Sequence, residues 1–345
     1  DTVSPGASQE VASGTRRIAV DFSSAIDQDL ITPDRFRLSR GGKQLALAAN
    51  EFNYDPETRQ VLFPAIDLEP GSDYEVTVGA DVSGPLGAED YRWSFTTQVP
   101  QYVDSTPTAG VTGVDTDEGD LIVRFDTPPS NVITDDEVVQ LFAQGIAIPI
   151  GPVTSPEPNA ITFEPVDEDL DPGTSYQVRI AAVAGGPRRQ DDYVFSFTTA
   201  IPDTQSVFPP AGTADVALPV DAISVTFSSA VDEGALDAPG NVILLASGTQ
   251  IESTVGLDGE VVTIVPAAGF RAGTPYELFI SGAVGGPLRQ EIGDFRWGFS
   301  TLVPEVDTVS PGASQEVASG TRRIAVDFSS AIDQDLITPD RFRLS

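Results

Sequence analysis

The stretch YRWSFTT at residues 91–97 alternates aromatic residues with polar ones. Alternation with a period of two predicts a β-strand that has one apolar face. Related stretches, YVFSFTT at 193–199 and FRWGFST at 295–301, follow at intervals of 102 residues. The same closing strand is therefore predicted in three successive units.

Other strands recur at corresponding places before this one. Each unit has an early strand that alternates apolar residues, a middle strand that ends in proline, and a strand led by tyrosine after a glycine turn. The early strands are Ile18–Phe22, Leu121–Phe125 and Ile223–Phe227; the middle ones are Val61–Pro64, Ile161–Pro165 and Val262–Pro266; the tyrosines are Tyr74, Tyr176 and Tyr276. The units are therefore predicted to be built of short antiparallel strands.

Helical periodicity is nearly absent from the sequence. The run SSAIDQDLITPDRF at residues 23–36 is expected to form one helical turn at most. The chain has 31 Gly and 28 Pro among 345 residues, which supplies the many turns that short strands need. An all-β fold is the prediction.

A longer repeat encloses the shorter one. Residues 307–345 are identical to residues 1–39, which gives a period of 306 residues, or three units of 102. The predicted domains are 1–102, 103–204 and 205–306, followed by a partial domain at 307–345.

The order of these motifs carries a family resemblance. Each unit opens with a Pro-containing turn, continues through an apolar strand with a central Val and a terminal Phe, and closes on Phe-Ser/Thr-Thr. This resembles the bacterial Ig-like domain found in S-layer and other bacterial surface proteins. The resemblance covers three units and the partial fourth, and it implies tandem immunoglobulin-like β-sandwiches of about 100 residues each.

One turn departs from the family pattern. The Gly-Asn turn that usually precedes the last strand is replaced by Gly84-Pro85, Gly186-Pro187 and Gly286-Pro287. The departure leaves the core pattern unchanged.

The segments between units are short and contain proline. Pro100, Pro202 and Pro304 occupy corresponding positions, and no Gly/Ser tract is present. Because proline stiffens a linker, the domains are expected to follow one another as a semi-rigid, elongated rod.

The partial fourth unit cannot bury a core by itself, because 39 residues cover too little surface. A strand is predicted at Arg341–Ser345. Two hypotheses account for the partial unit: it belongs to a longer tandem array, or strands from another molecule complete it. Identity at all 39 positions favours the array, because recent duplication produces such copies, and strand exchange is the alternative.

Composition excludes several classes of function. The chain has no His and no Cys, so a Ser-His-Asp triad, a thiolate nucleophile and a His-ligated zinc are all excluded. With 19 basic and 52 acidic residues its net charge is −33, which disfavours nucleic acid as a partner. No apolar stretch is long enough to span a membrane. The acidic excess fits a protein in brine or seawater, because salt screens the self-repulsion.

Calcium is the one cofactor considered. Asp115, Asp117, Glu118 and Asp120 cluster in one predicted loop, and carboxylate oxygens are calcium ligands. The run lacks the spacing of an EF-hand, and the corresponding loops of the other units are not acidic clusters. A second run, DEDLD at residues 167–171, is not repeated in the third unit. Solvated surface charge is the preferred interpretation of both runs, and no metal site is assigned.

Acidic residues also lie near the predicted joints between units. They are Asp104, Asp203, Glu305 and Asp307. Calcium bound there would stiffen a rod, but the set is sparse, and surface charge is the preferred interpretation.

The aromatic residues of the closing strands allow two interpretations. They could stack on sugars, or they could form the core of each sandwich. Strand alternation favours the core for Tyr91, Trp93 and Phe95 and for Phe295, Trp297 and Phe299. The tyrosines that lead the preceding strand resemble those that pin a corner of such sandwiches by bonding to the backbone.

These observations predict a structural protein, not an enzyme, with no catalytic or cofactor-binding residues. We expect an extracellular fibre, stalk or surface-layer component whose partners are neighbouring repeats or identical chains. The alternative is the extender region of a long adhesin stiffened by calcium. A glycan-binding module is disfavoured because such a module has little use for faithful long repetition.

Overall fold

A computed structural model describes residues 2–83, 89–134, 137–166, 169–320, 323–332 and 337–343. The chain divides into two compact units. The first comprises Asp1–Val111, Asp117–Asp169 and Ser175–Phe197, and the second comprises Thr112–Thr116, Leu170–Thr174 and Thr198–Ser345.

The first unit contains a complete two-sheet domain. Its strands are β1 (Thr2–Ser4), β2 (Glu10–Val11), β3 (Ala19–Asp21), β4 (Phe36–Arg40), β5 (Lys43–Gln44), β6 (Asn53–Asp55), β7 (Gln60–Leu62), β8 (Asp73–Val78) and β9 (Tyr91–Thr97). One sheet has the order β1-β3-β7-β6 and the other the order β2-β9-β8-β4-β5. Single 3₁₀ turns lie at Gln28–Leu30, Ala49–Glu51 and Ala80–Ser83. The prediction of at most one helical turn at 23–36 is confirmed.

The core of this domain lies between the two sheets. Phe36, Val61, Val76 and Phe95 are completely buried, because alternate residues of their strands point to the same side. The ring of Tyr74 stacks on that of Phe95 with 5.3 Å between centroids.

Most of a second domain also belongs to the first unit. Its strands there are β10 (Tyr102–Thr106), β12 (Leu121–Phe125), β13 (Val139–Ala143), β14 (Ile146–Ile148), β15 (Ala160–Phe163), β16 (Ser175–Ile180) and β17 (Tyr193–Thr199), which reaches its end in the second unit. The sheets have the orders β10-β12-β15 and β17-β16-β13-β14. Single 3₁₀ turns lie at Asn131–Thr134 and Ala182–Gly185.

The second unit contains the third domain. In it, β11 (Thr112–Val114) pairs in parallel with Thr198 and Thr199. The strands of the third domain are β18 (Thr204–Phe208), β19 (Ile223–Phe227), β20 (Val242–Ala246), β21 (Thr249–Ile251), β22 (Ser253–Asp258), β23 (Val261–Pro266), β24 (Pro275–Ile280) and β25 (Phe295–Ser300). They form sheets of order β18-β19-β23-β22 and β21-β20-β24-β25. The predicted all-β architecture is thereby confirmed.

The third domain also has helices that the sequence pattern did not predict. They are α1 (Glu233–Asp237) and α2 (Gly286–Ile292), and a 3₁₀ turn at Gly282–Gly285 precedes α2. Pro287 lies in the first turn of α2, where its missing N–H costs no hydrogen bond. Gly293 ends the helix with a φ of +121°. The helix is too short to show amphipathic periodicity in the sequence.

The partial fourth repeat forms one strand pair. Its strands are β26 (Val306–Ser310) and β27 (Ala325–Phe328). Of the strand predicted at 341–345, the described residues 341–343 are not in a strand, and residues 344 and 345 lie outside the described residues. The reason lies in pairing: the equivalent strand β4 pairs with β8, and residues 307–345 contain no counterpart of β8.

Candidate functional site: the joints between domains

A turn at one end of each domain is fixed by a buried threonine. Thr97 donates from Oγ1 to the carbonyl oxygen of Glu69 at 2.6 Å and accepts from the backbone N–H of Ser72 at 2.9 Å. Thr199 makes the same two bonds to Asp171 and Thr174. The last threonine of the Phe-Ser/Thr-Thr motif therefore holds the turn that follows the middle strand.

The third domain repeats this arrangement. Thr301 donates to the carbonyl oxygen of Arg271 at 2.6 Å and accepts from the N–H of Thr274 at 2.9 Å. The corner tyrosine supports the same turn, because Tyr276 accepts from the N–H of Arg271 at 2.7 Å. Tyr74 accepts likewise from the N–H of Glu69 at 2.8 Å, which confirms its predicted structural role.

At the first joint, within the first unit, this turn meets a loop of the second domain. The backbone N–H of Arg188 donates to the carbonyl oxygen of Gly71 at 3.1 Å. Gly71 has a φ of +52°, and a Cβ there would overlap the carbonyl oxygen of Gly185. A Cβ on Gly186 would overlap the carbonyl oxygen of Pro70. Only glycine permits this approach of the two backbones.

Side chains extend the first joint. Arg188 pairs with Glu10 at 3.0 Å, and Ser130 donates to Glu69 at 2.8 Å. Ser13 donates to the carbonyl oxygen of Pro128 at 2.6 Å. The two domains are thus linked by both backbone and side-chain bonds.

An aromatic residue holds the linker at this joint. Tyr193 is buried, and its hydroxyl donates to the carbonyl oxygen of Pro100 at 2.6 Å. The guanidinium of Arg189 lies 3.8 Å from the centroid of the Tyr193 ring. Burial raises the pKa of Tyr193 above its ordinary value, so its hydroxyl stays protonated and able to donate.

The second joint, within the second unit, has the same backbone contacts. The N–H of Leu288 donates to the carbonyl oxygen of Gly173 at 3.0 Å, and Gly173 has a φ of +51°. A Cβ on Gly173 would overlap the carbonyl oxygen of Gly285, and one on Gly286 would overlap that of Pro172.

The side chains of the second joint differ from those of the first. Phe295 replaces the tyrosine, so the linker loses that hydroxyl donor. Arg289 lies 3.9 Å from the Phe295 centroid and is only 6% exposed. Its Nη2 is 3.8 Å from a carboxylate oxygen of Asp203. The backbone contact is therefore shared by the two joints, whereas the charges around it are particular to each.

The third turn has a similar conformation, and among the described residues no loop N–H donates to the carbonyl oxygen of Gly273. Gly273 has a φ of +59°, and the three atoms nearest to a Cβ there belong to Val303. A cavity of about 440 Å³ lies beside the turn, lined by its residues and by apolar side chains of the fourth repeat. These side chains are Ile332, Ile337 and Phe342.

Among the described residues, the acidic runs do not come together as a metal site. Asp115, Asp117, Glu118 and Asp120 are exposed on the loop before β12. In the run at 167–171, Asp167 and Glu168 lie outside the described residues. In the part of the chain that the structure describes, no group of three or more Asp or Glu side chains is placed to hold a metal ion.

The acidic residues near the joints have different surroundings. Asp104 pairs with Arg124 at 3.2 Å, and Asp203 faces Arg289. Glu305 and Asp307 are exposed.

The closing-strand aromatics are core residues, with one exception. Trp93, Phe95, Phe295, Trp297 and Phe299 are all buried, as alternation predicted. Tyr91 is 45% exposed, so its assignment to the core is wrong. Its counterpart Tyr193 is covered by Arg189, whereas the sequence has glycine, Gly87, at the position corresponding to Arg189.

The family assignment rests on matches to all three repeated units. The sequence model for the bacterial Ig-like domain matches residues 1–97, 98–199 and 200–301. The chain belongs to the bacterial Ig-like domain family. The three tandem copies inferred from the motifs are thereby confirmed, and the joints above are contacts between successive Ig-like domains. None of the curated proteins matches the chain.

Several solved structures resemble parts of this chain at low similarity. An I-band fragment (I67–I69) of titin is 11% identical, with a TM-score of 0.24, and the match covers 86% of this chain and 95% of that one. The N-terminal part of the bacterial S-layer protein SbsC is 15% identical, with a TM-score of 0.23, covering 59% of this chain and 44% of that one. The insect immune protein hemolin is 12% identical, with a TM-score of 0.22, covering 87% and 75%. At these values the similarity carries no argument, and the family assignment rests on the sequence model alone.

Sequence reasoning did not find the joint contacts. The Gly-Pro dipeptides before the last strand stood out only as a departure from the family pattern. For Gly186-Pro187 and Gly286-Pro287 the significance depends on the turn of the preceding Ig-like domain, which lies about 115 residues earlier, as the contact of Gly71 with Gly186 shows. Gly84-Pro85 lies outside the described residues. The recurrence of these glycines was the available signal, with 102 residues from Gly71 to Gly173 and 100 from Gly186 to Gly286.

Proposed function

We propose that this chain is a structural component of a bacterial cell surface, in a fibre, a stalk or a surface layer. In such an assembly the number of Ig-like domains sets its length, and the docked joints between them resist bending. Its partners are neighbouring repeats of the same kind, and no step of its function is catalytic.

One observation carries the proposal: two successive joints use the same backbone contact. In each, a loop N–H donates to the carbonyl oxygen of a turn glycine, at 3.1 Å for Gly71 and 3.0 Å for Gly173. A flexible tether needs no such approach, and on both sides of each contact a Cβ would overlap the backbone of the other domain. Domains docked in this way bend less than domains on free linkers, which suits a load-bearing or spacing role.

The composition is consistent with this role. The absence of His and Cys removes the commonest catalytic groups, and no helix in the described part of the chain is long and apolar enough to cross a membrane. Family membership supports a surface location, because the resemblance is to domains of bacterial surface proteins.

Electron microscopy of the source cells with gold-labelled antibody to the chain tests the proposal. We expect label outside the cell on fibres or a layer, with the same appearance after treatment with a chelator. Label confined to the cytoplasm would overturn it. Fibres that become floppy in chelator would instead favour the calcium-stiffened adhesin extender.

A further inference from the structure

The two joints share a backbone contact but differ in the side chains around it. At the first joint, the backbone N–H of Arg188 donates to Gly71. The guanidinium of Arg188 adds a bond to the carbonyl oxygen of Thr97 at 3.3 Å and an ion pair with Glu10 at 3.0 Å. Leu288 occupies the position of Arg188 at the second joint, where only the backbone N–H can donate. The second joint therefore lacks both side-chain bonds.

Two further donors of the first joint are replaced at the second. The hydroxyl of Tyr193 donates to the carbonyl oxygen of Pro100 in the linker, whereas Phe295 at the corresponding position has no hydroxyl. Ser130 donates to a glutamate of the first domain at 2.8 Å. Asp232 takes the place of Ser130, and a carboxylate has no proton to donate. Every one of these replacements removes a bond that crosses the joint or holds its linker.

The second joint also buries a cation whose counterpart at the first is better satisfied. Arg289 is 6% exposed, and its Nε and Nη1 have no hydrogen-bond partner among the described residues. The counterpart, Arg189, is half-buried, and its Nε donates to the carbonyl oxygen of Asp191 at 2.7 Å. Helix α2 takes the place of the loop that supplies this carbonyl. Burial without these hydrogen bonds disfavours the closed joint, because water would solvate the same nitrogens.

The carboxylate that faces Arg289 offsets little of this cost. Oδ1 of Asp203 is 3.8 Å from Nη2 of Arg289, and the Asp203 side chain is 80% exposed. The same oxygen accepts from the backbone N–H of Thr204 at 2.9 Å. A pair at this distance and open to water contributes little to stability. The contact of the guanidinium with an aromatic ring is present at both joints, so it does not distinguish them.

Opening the two joints therefore has unequal consequences. At the second joint, opening exposes the unpartnered nitrogens of Arg289 to water. At the first joint, opening breaks the side-chain bonds of Tyr193, Ser130 and Arg188 in addition to the backbone contact. Parts of one protein open with different free energies for such reasons.

We propose that, of the two described joints, the second is a hinge: it opens more often than the first, and bending of the chain concentrates there. The first and second domains then behave as a stiff pair, and compliance is built in between the second and the third. The proposal deepens the structural role proposed above and rests on it, because it says which docked domains part first.

Double electron–electron resonance between two spin labels measures the spread of distances across each joint. The chain has no Cys, so two introduced cysteines are the only labelling sites. Glu75, Gln177 and Glu277 are exposed and directly follow the corner tyrosine in the three domains. Glu75→Cys with Gln177→Cys spans the first joint, and Gln177→Cys with Glu277→Cys spans the second. We expect the second distance distribution to be broader than the first.

Methionine at the two equivalent arginines should act in opposite directions. Arg289→Met keeps an apolar side chain beside Phe295 and removes the unpartnered charge, so the second distribution should narrow. Arg189→Met is the matched control: it removes the bond to Asp191 and the cation over Tyr193, so the first distribution should broaden. Tyr193→Phe, which removes only the hydroxyl, should also broaden the first distribution.

Each outcome decides. Two wild-type distributions of equal width would contradict the proposal, as would a second distribution that broadens with Arg289→Met. If circular dichroism shows that Arg289→Met does not fold, wild type and Tyr193→Phe still decide.

Gly71→Ala and Gly173→Ala supply references for undocked joints, because the added Cβ overlaps the next domain. Equal distributions that are both narrower than these references remove the hinge and leave the structural role standing. Wild-type distributions that both match the references would show that neither joint is docked, which removes the structural role as well.

Discussion

Asp192 accepts a hydrogen bond from the backbone N–H of Ala182 at 2.8 Å and another from Nε of Arg179 at 2.6 Å. Asp90, the corresponding residue of the first domain, accepts a hydrogen bond from the backbone N–H of Ala80 at 3.1 Å. These bonds favour the ionised carboxylate, so the pKa of each aspartate lies below its ordinary value. A carboxylate in this position ties the loop before the last strand to its own domain.

Replacing Asp192 with Asn should make the second domain less sensitive to acid. A pKa lowered by folding contributes stability above the unfolded value, near 3.8, and this contribution is lost as pH falls through the folded value. The difference in free energy of unfolding between wild type and Asp192→Asn should be constant above about pH 5 and shrink as pH falls from about 4 to 2. Chemical denaturation across this range measures it. Asp191→Asn, an exposed neighbour, is the control and should leave the profile unchanged.

At the scale of elements, a turn and a loop that belong to different domains define each joint. The turn is held by a hydrogen bond from Thr97 at the first joint and from Thr199 at the second, and it contacts a loop of the next domain that contains two glycines. The contact therefore needs three local conditions: a pinned turn, a positive φ at its glycine, and no Cβ on the opposing loop.

Alanine at the three turn glycines should separate docking from backbone strain. Gly71, Gly173 and Gly273 share a φ near +50 to +60°, so alanine costs each about 1 kcal/mol of strain. Only at Gly71 and Gly173 does the new Cβ also overlap the next domain. Gly71→Ala and Gly173→Ala should therefore broaden the distribution of interdomain distances in small-angle X-ray scattering, whereas Gly273→Ala, the control, should not. Equal scattering from all three variants would show that the joints are not docked.

At the scale of the whole molecule, charge is the dominant property. The net charge of −33 is spread over 345 residues, and 18 of the 19 basic residues are arginine. Many of the described ion pairs join partly exposed side chains, such as Arg92 with Glu75 at 3.4 Å, and contribute little individually. Self-repulsion therefore opposes the compact state at low salt.

Sodium chloride should stabilise the chain. The Debye length falls from about 30 Å at 0.01 M to about 3 Å at 1 M, so most repulsion between exposed carboxylates is removed. We expect the melting temperature to rise across this range in differential scanning calorimetry. A variant with Asp115→Asn, Asp117→Asn and Glu118→Gln should show a smaller rise, because it carries three fewer exposed charges. A melting temperature that falls with salt would contradict this account.

The sequence by itself determined the strands, the three repeated units and the core. Alternation with a period of two assigned Phe95, Phe197 and Phe299 to buried positions, and burial depends mainly on this local pattern. The interval of 102 residues fixed the number of units, because each must supply every strand of its own two sheets. The sequence also identified the corner tyrosines Tyr74 and Tyr276, since the residues to which they bond lie only five positions earlier.

Only the tertiary structure decided how these parts meet. Gly71 and Gly186 become a joint because two loops from different domains approach closely, which no local pattern encodes. Tyr91 and Tyr193 occupy equivalent strand positions, yet Tyr91 is exposed and Tyr193 is buried. The difference arises because only the second of these two repeats has an arginine, Arg189, over the ring. Residues 1–39 and 307–345 show this most directly: Ile18 and Phe36 are buried, whereas their counterparts Ile324 and Phe342 are exposed, because burial depends on the surface that lies against a segment.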